Sequence, residues 1–159
     1  MTEKKTKSTG SGYGAFLSNL EAEQTGVILD YGTFRVTIAR AGGSNKSYER
    51  IMTALTKPHS RAIATETLSA RISTAIMQEA LAKAVILNWE ILVGDDKTDE
   101  GWKQGLEDPS TGEFLTFGWE NVLKVLQHPE LQNLYNDLRI QSGKEALFLQ
   151  EAREDEGKR

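Results

Sequence analysis

The stretch RAGGSNKS, residues 40–47, has the residue types and order that could bind a phosphate group. It follows the alternating stretch FRVTIA and precedes YERIMTAL, which has the apolar spacing of a helix. Strand, glycine turn, Lys-Ser and helix form the outline of a nucleotide-binding loop. When Lys46 and Ser47 are placed in that motif, however, Arg40 and Asn45 occupy the two positions that require glycine. Side chains there would crowd the phosphate.

A second interpretation of the same stretch needs no ligand. Gly42 and Gly43 suit a sharp turn out of the strand, because glycine adopts backbone conformations that other residues avoid. Ser44 or Asn45 is then a good N-cap for the following helix. The sequence favours this interpretation, a junction between a strand and a helix.

The stretch DDKTDEGWKQGLE has the spacing of a calcium-binding loop. Asp96 would be its first ligand, Gly101 its turn and Glu107 its last ligand. Two of the short acids between them are replaced, Lys103 stands where an apolar residue belongs, and Pro109 would break the helix that should follow. The pattern favours a solvated acidic loop without a metal ion.

Residue types for catalysis are scarce. The chain has no cysteine and only two histidines, His59 and His128, each beside a proline at the edge of a predicted helix. A nucleophile needs a neighbouring base, and neither histidine lies in such a setting. We therefore expect no enzyme, no cofactor and no metal site.

Composition excludes other classes. The chain has 159 residues, 38% of them hydrophobic and 26% charged, with a net charge of −4. An acidic chain is not expected to bind nucleic acid, and no apolar run is long enough for a membrane span or a secretory signal. We expect a cytoplasmic protein. One region is locally basic, because it contains Arg35, Arg40, Lys46, Arg50, Lys57 and Arg61. It is either a solvated face or a surface that binds an acidic peptide.

The domain organisation follows from where apolar residues begin and end. Residues 1–15 are rich in Lys, Thr, Ser and Gly and are expected to be a disordered tail. Residues 16–153 are expected to form a single globular domain, and residues 154–159 to fray.

Two extended segments, GVILDY and TFRVTIAR, begin this domain. Both are rich in β-branched and aromatic residues and a glycine separates them, which predicts a β-hairpin. In the second segment Phe34, Val36 and Ile38 share one face, whereas Arg35 and Thr37 share the other. One face is therefore expected to be buried.

A helical pattern extends from about Thr67 to Val93. Apolar residues recur at steps of three or four, at Leu68, Ile72, Ile76, Ala80, Ala84, Leu87 and Ile91. The second half, ALAKAVILNWEILV, is apolar on most sides. This predicts either the central helix of the fold or a helix with a partner in another molecule.

The remaining predicted elements are shorter. A helix is predicted near Asn45–Leu55, where Pro58 limits it, and a long loop over residues 94–113 precedes a short strand in EFLTF. A helix follows at about Trp119–Gln127, and Pro129 leads another. A last helix extends to about Arg153, with Ser142 and Glu145 as its capping box. Together they predict an α+β fold, mostly α, with an N-terminal β-hairpin followed by a bundle of about four to five helices around one long central helix.

The order of several motifs resembles that of the phage tail assembly chaperones of long-tailed phages. That family's pattern has an F-R-V strand, then A-R-A-G-G-x-N-x-x-Y, a proline and an arginine, a long helix ending in Trp-Glu, and a loop before a helix and a proline-led helix. The matching residues are Phe34, Arg35, Val36, Ala39, Arg40, Ala41, Gly42, Gly43, Asn45, Tyr48, Pro58, Arg61, Trp89, Glu90, Gly112, Phe117, Asn121, Leu123, Leu126 and Pro129. The resemblance covers about residues 27–148.

The resemblance implies a non-enzymatic protein of the host cytoplasm. Such a protein binds the long, aggregation-prone tape measure protein during tail assembly and is absent from the mature virion. The family often makes two products that share an N-terminus, so a frameshifted, extended form or a further copy of the chain is another candidate partner. The candidate partner-binding residues are Arg35, Arg40, Asn45, Tyr48, Leu81, Val85, Trp89, Glu90 and Trp119.

Two features depart from the family pattern. The loop over residues 94–113 is longer and more acidic, and the ending SGKEALFLQEA lacks a serine-rich close. An alternative hypothesis is a structural virion component, a tail or head-completion protein, whose apolar helix packs against copies of itself.

Overall fold

The computed structural model of the chain describes residues 12–149. Its strands within that range are β1 Val27–Asp30, β2 Phe34–Ile38, β3 Ile86–Leu92, β4 Trp102–Gln104, β5 Leu106–Glu107 and β6 Phe114–Leu115. Its α-helices are α1 Leu20–Thr25, α2 Lys46–Thr56, α3 Ser60–Ala64, α4 Ala70–Ala84, α5 Trp119–Gln127 and α6 Gln132–Gly143. Short 3₁₀ turns cover Gly14–Phe16, Lys57–His59, Asp99–Gly101, Pro129–Leu131 and Glu145–Phe148. The predicted class, α+β and mostly α, is confirmed.

The main sheet has the strand order β1-β2-β3-β4, and all its neighbours are antiparallel. The predicted hairpin is confirmed as β1 and β2. Val36 and Ile38 are fully buried on the inner face, as their spacing predicts, while Arg35 and Thr37 lie on the outer face. Helix α4 packs against α2 and α5 on the inner side of the sheet, and a smaller sheet pairs β5 with β6.

The prediction of one helix from Thr67 to Val93 is wrong in its second half. Helix α4 ends at Ala84, and the residues after it form β3, the inner partner of β2. Trp89 pairs with Val36 across this ladder, so the Trp-Glu motif lies within a strand and not at the end of a helix. A bulge at Leu87 leaves that side chain 38% exposed, although the helical pattern places it on the apolar face.

The predicted loop over residues 94–113 contains two strands. Residues of β4 pair with the end of β3, and Trp102 at its start is buried, with its indole N–H donating to the carbonyl of Asp96 at 3.1 Å. The short strand predicted in EFLTF is confirmed as β6. Within residues 12–149 no cluster of acidic or histidine side chains could hold a metal ion.

Helix α5 has the predicted bounds, and Pro129 begins a 3₁₀ turn that leads into α6. The predicted last helix is wrong where it can be checked, because Glu145–Phe148 is a 3₁₀ turn and Leu149 pairs with Ser18. Ser142 lies inside α6 and donates to the carbonyl of Arg139, so it caps no further helix. The expectations for residues 1–11 and 150–159 fall outside the described residues.

Helix α1 is an element that the sequence analysis did not predict. Asn19 caps it by accepting a hydrogen bond from the N–H of Ala22 at 3.1 Å. Gly26 ends it, and β1 begins at the next residue. Among the helices of the described range, none combines the length and apolar character that a bilayer crossing requires.

Candidate functional site

The predicted partner-binding residues lie in four places. Leu81, Val85 and Trp89 belong to the core and are at most 4% exposed. Arg40, Asn45 and Tyr48 surround the turn between β2 and α2, and Arg35 and Glu90 face each other on the outer side of the sheet. Trp119 begins α5 and is 39% exposed, with the ammonium of Lys83 lying 4.4 Å from its ring centre.

The turn between β2 and α2 uses both of its glycines. Gly42 and Gly43 have φ angles of 126° and 56°, the region that favours glycine. Asn45 is the N-cap, since its side-chain oxygen accepts from the N–H of Tyr48 at 3.1 Å. Its side-chain amide also donates to the carbonyl oxygens of Arg40 and Ala84, each at 2.9 Å. The junction interpretation of RAGGSNKS describes this geometry.

The anion that this turn binds is a carboxylate of the chain itself. Glu23 of α1 is 1% exposed and accepts hydrogen bonds from the backbone N–H of Ser44 at 2.8 Å and from the guanidinium of Arg40 at 2.7 Å. Burial opposes its ionisation, but the hydrogen bonds from Ser44 and Arg40 outweigh it and hold the pKa of Glu23 below its ordinary value. Arg40 and the N–H of Ser44, two groups that could attract a phosphate, are therefore already engaged.

The outer face of the sheet carries a second ion pair. The Nε of Arg35 lies 2.6 Å from a carboxylate oxygen of Glu90, and the guanidinium carbon lies 4.4 Å from the ring centre of Trp102. Beside them the amide of Gln104 donates to the side-chain oxygen of Asn88 at 2.7 Å. Arg35 and Glu90 therefore bind each other, and the basic region predicted around the hairpin is partly neutralised within the chain.

A pocket opens beside the start of β2 and the end of β3. It has a volume of about 550 Å³ and lies between β2, β3, the start of the smaller sheet, α5 and α6. Its apolar lining is formed by Phe34, Trp89, Ile91, Val125, Leu131 and Leu134. The rings of Phe34 and Trp89 are stacked, with centres 5.6 Å apart and planes 8° apart. Trp89 thus presents part of its surface to a pocket even though it is mostly buried.

Two of the four polar residues at this pocket are acids. Glu107 and Glu130 line it, and its lining contains His128 but no lysine or arginine. The Nδ1 of His128 accepts from the N–H of Glu130 at 3.2 Å, so the imidazole caps the turn that carries Glu130. In the sequence Glu107 is considered only as the last ligand of a calcium-binding loop and Glu130 is not singled out, because their chain positions differ by more than 20 residues and only the fold brings them together.

A hydrogen bond beside the pocket joins the hairpin to α6. The hydroxyl of Tyr31 donates to a carboxylate oxygen of Asp137 at 2.6 Å, and the Tyr31 ring stacks on Phe34 with centres 4.9 Å apart. Burial, followed by the carboxylate of Asp137, raises the pKa of Tyr31 above its ordinary value of 10.0. The neutral phenol is therefore favoured in the folded state.

Replacing Tyr31 by phenylalanine is expected to lower the free energy of unfolding by about 1 kcal/mol near neutral pH. Above about pH 10 the hydroxyl of Tyr31 ionises in the unfolded wild type before it ionises in the folded protein, which lowers the free energy of unfolding of the wild type. The variant has no such hydroxyl, so the difference in stability between the two proteins narrows. Urea unfolding of both proteins between pH 7 and 11 measures it. A difference that stays constant across this range would contradict the assignment.

A scan against protein-family models, a search of curated proteins and a search of solved structures each find no match to this chain. The pocket leaves apolar surface accessible to another molecule.

Proposed function

We propose that this protein is a phage tail assembly chaperone that binds the tape measure protein and keeps it soluble while the tail is assembled. Two observations support this. The ordered motifs from Phe34 to Pro129 resemble that family, and an apolar pocket with an accessible surface lies where the Phe-Arg-Val strand meets the Trp-Glu strand. In this proposal the protein acts in the host cytoplasm, without a cofactor, and does not remain in the finished virion.

The pocket is the observation that carries the proposal. Sites that bind small or peptide ligands commonly have volumes of roughly 300–1,000 Å³ and apolar walls, and this pocket fits both descriptions. A helix that lays its apolar stripe across such a groove buries side chains that would otherwise aggregate. The binding element is then the pocket floored by Phe34 and Trp89, in place of the continuous apolar helix expected from the sequence.

A second candidate is the structural virion component that associates with copies of itself. The observation that favours it is a group of exposed apolar side chains close together in the chain, Tyr13, Phe16 and Leu20, which are 74%, 81% and 60% exposed. Detection of the chain in purified mature virions would favour this candidate over the chaperone.

Co-expression with the tape measure protein of the same phage tests the proposal. We expect the two proteins to co-elute in size-exclusion chromatography, with more soluble tape measure protein than without the chain. Replacing Leu134, which lines the pocket, by lysine should weaken the complex about tenfold or more, since truncating or charging a central contact removes much of the binding energy. Replacing Ile140, exposed on the same helix, by lysine is the matched control.

Thermal unfolding of both variants shows whether each is folded before binding is compared. A tape measure protein that stays insoluble and unbound in the presence of the wild-type chain would refute the chaperone function. Equal binding by the two lysine variants would instead show that the pocket is not the binding site of the tape measure protein.

A further inference from the structure

We infer that the segment bound by this pocket is a basic amphipathic helix, with lysine or arginine about one turn from its apolar contact residues. The helical form of the partner rests on the proposed function. The basic neighbour follows from the charges at the pocket, and nothing in the resemblance supplies it.

The first step is the charge of the lining. Glu107 and Glu130 are both exposed, and within residues 12–149 neither carboxylate forms an ion pair. His128 also lines the pocket, and its Nδ1 accepts from the N–H of Glu130. An apolar floor is thus bordered by two unneutralised negative charges.

The second step is that two lysines on elements around the pocket are engaged elsewhere. The ammonium of Lys124 lies 2.9 Å from a carboxylate oxygen of Asp108. The ammonium of Lys103, on the strand next to β3, lies 4.0 Å from the ring centre of Phe114. Neither lysine lines the pocket. An acidic partner would therefore meet repulsion here, and a basic one would meet complementary charge.

The third step is the reach of the partner's side chains. On a helix, residues three or four apart lie on one face, so an apolar residue and a lysine at that spacing point the same way. Lysine and arginine also have long apolar stems, which cover apolar surface while the charge stays in water. One helical face can therefore fill the floor with an apolar side chain and place its cation at Glu107 or Glu130.

A pair of synthetic helical peptides tests the inference. Both carry the same leucines on one face; one has lysine four residues from each leucine, and the other has glutamine there. Fluorescence anisotropy with the full-length protein at low salt should show the lysine peptide binding about tenfold more tightly, as expected for two exposed ion pairs. The preference should shrink at high salt, because the charges are exposed to solvent.

Two double variants of the protein show which residues cause the preference for the lysine peptide. The double variant Glu107→Gln/Glu130→Gln should bind both peptides equally. The matched double variant Glu100→Gln/Glu120→Gln removes two exposed acids outside the lining and should keep the preference. Equal binding of both peptides by the wild type, no binding of either, or a preference that survives loss of Glu107 and Glu130 would overturn the inference.

The same proteins separate this inference from the proposed function. If the wild type retains the tape measure protein but shows no preference for the lysine peptide, the inference fails and the chaperone function stands. If the lysine preference is found and depends on the two glutamates, but the tape measure protein is not bound, the chaperone function fails and the pocket binds another basic helix.

Discussion

Replacing Glu23 by glutamine is expected to lower the free energy of unfolding by about 3 kcal/mol at neutral pH, because it breaks the buried ion pair with Arg40 and weakens the hydrogen bond from Ser44. The carboxylate of Glu23 is 1% exposed and holds both Arg40 and the N–H of Ser44. Glutamine has nearly the same shape, so the loss reports the charge rather than a cavity. Replacing Glu21, exposed on the same helix, by glutamine should change stability by only about 0.5 kcal/mol or less.

The pH dependence of this loss has a defined sign. The pKa of Glu23 is lowered in the folded state, so the carboxylate contributes its full stabilisation above the ordinary value of 4.5 and loses it as the pH falls through the lowered value. The stabilities of the wild type and the Glu23→Gln variant should therefore converge below about pH 4.5. Guanidinium unfolding from pH 7 to 3 measures this, and a gap that widens in acid would contradict the assignment.

Replacing Asn45 by alanine is expected to cost a similar amount, about 3 kcal/mol. Two losses add up. The first is the cap on the N–H of Tyr48. The second is the pair of hydrogen bonds that Asn45 donates to the carbonyl oxygens of Arg40 and Ala84. Asn45 is 8% exposed, so both oxygens would be left buried without this donor.

Two further variants separate these losses in urea unfolding experiments. Ser69 caps α4 by accepting from the N–H of Ile72, so Ser69→Ala should lose only a cap, about 1 kcal/mol. Asn45→Asp keeps the acceptor for Tyr48 but has no donor, and its carboxylate would face two carbonyl oxygens. If Asn45→Asp were as stable as the wild type, the two donated hydrogen bonds would contribute nothing and the explanation would be wrong.

Secondary-structure elements that are determined by nearby residues could be predicted from the sequence. The hairpin, the turn at Gly42 and Gly43 and the helix Trp119–Gln127 all follow from local spacing, turn residues and caps. The strand Ile86–Leu92 could not, because Leu87 and Ile91 continue the helical spacing of α4. Its strand conformation depends on pairing with β2, about 50 residues away in the chain, and local propensity does not contain that pairing.

The site was less predictable than the fold. Trp89 was expected to contact a partner and does line the pocket, yet it does so from a strand, with most of its surface in the core. Glu23 and Glu130 were missed, and Glu107 was considered only as a calcium ligand. An acidic residue is usually solvated, and only the three-dimensional arrangement shows that one of them is buried against Arg40 and that two border the same pocket.

The turn after β2 makes contacts that can form only after late parts of the chain have been synthesised. Asn45 reaches Ala84, the N–H of Ala41 donates to the carbonyl of Ser142 at 2.9 Å, and that of Asn19 donates to the carbonyl of Phe148 at 2.7 Å. These contacts join early and late parts of the chain, and such distant pairings form slowly. On the ribosome, the hairpin therefore emerges long before α6 can close the turn. Until residue 142 has left the exit tunnel, the contacts that close the turn cannot form, and the first third of the chain can associate with other chains through its exposed apolar residues.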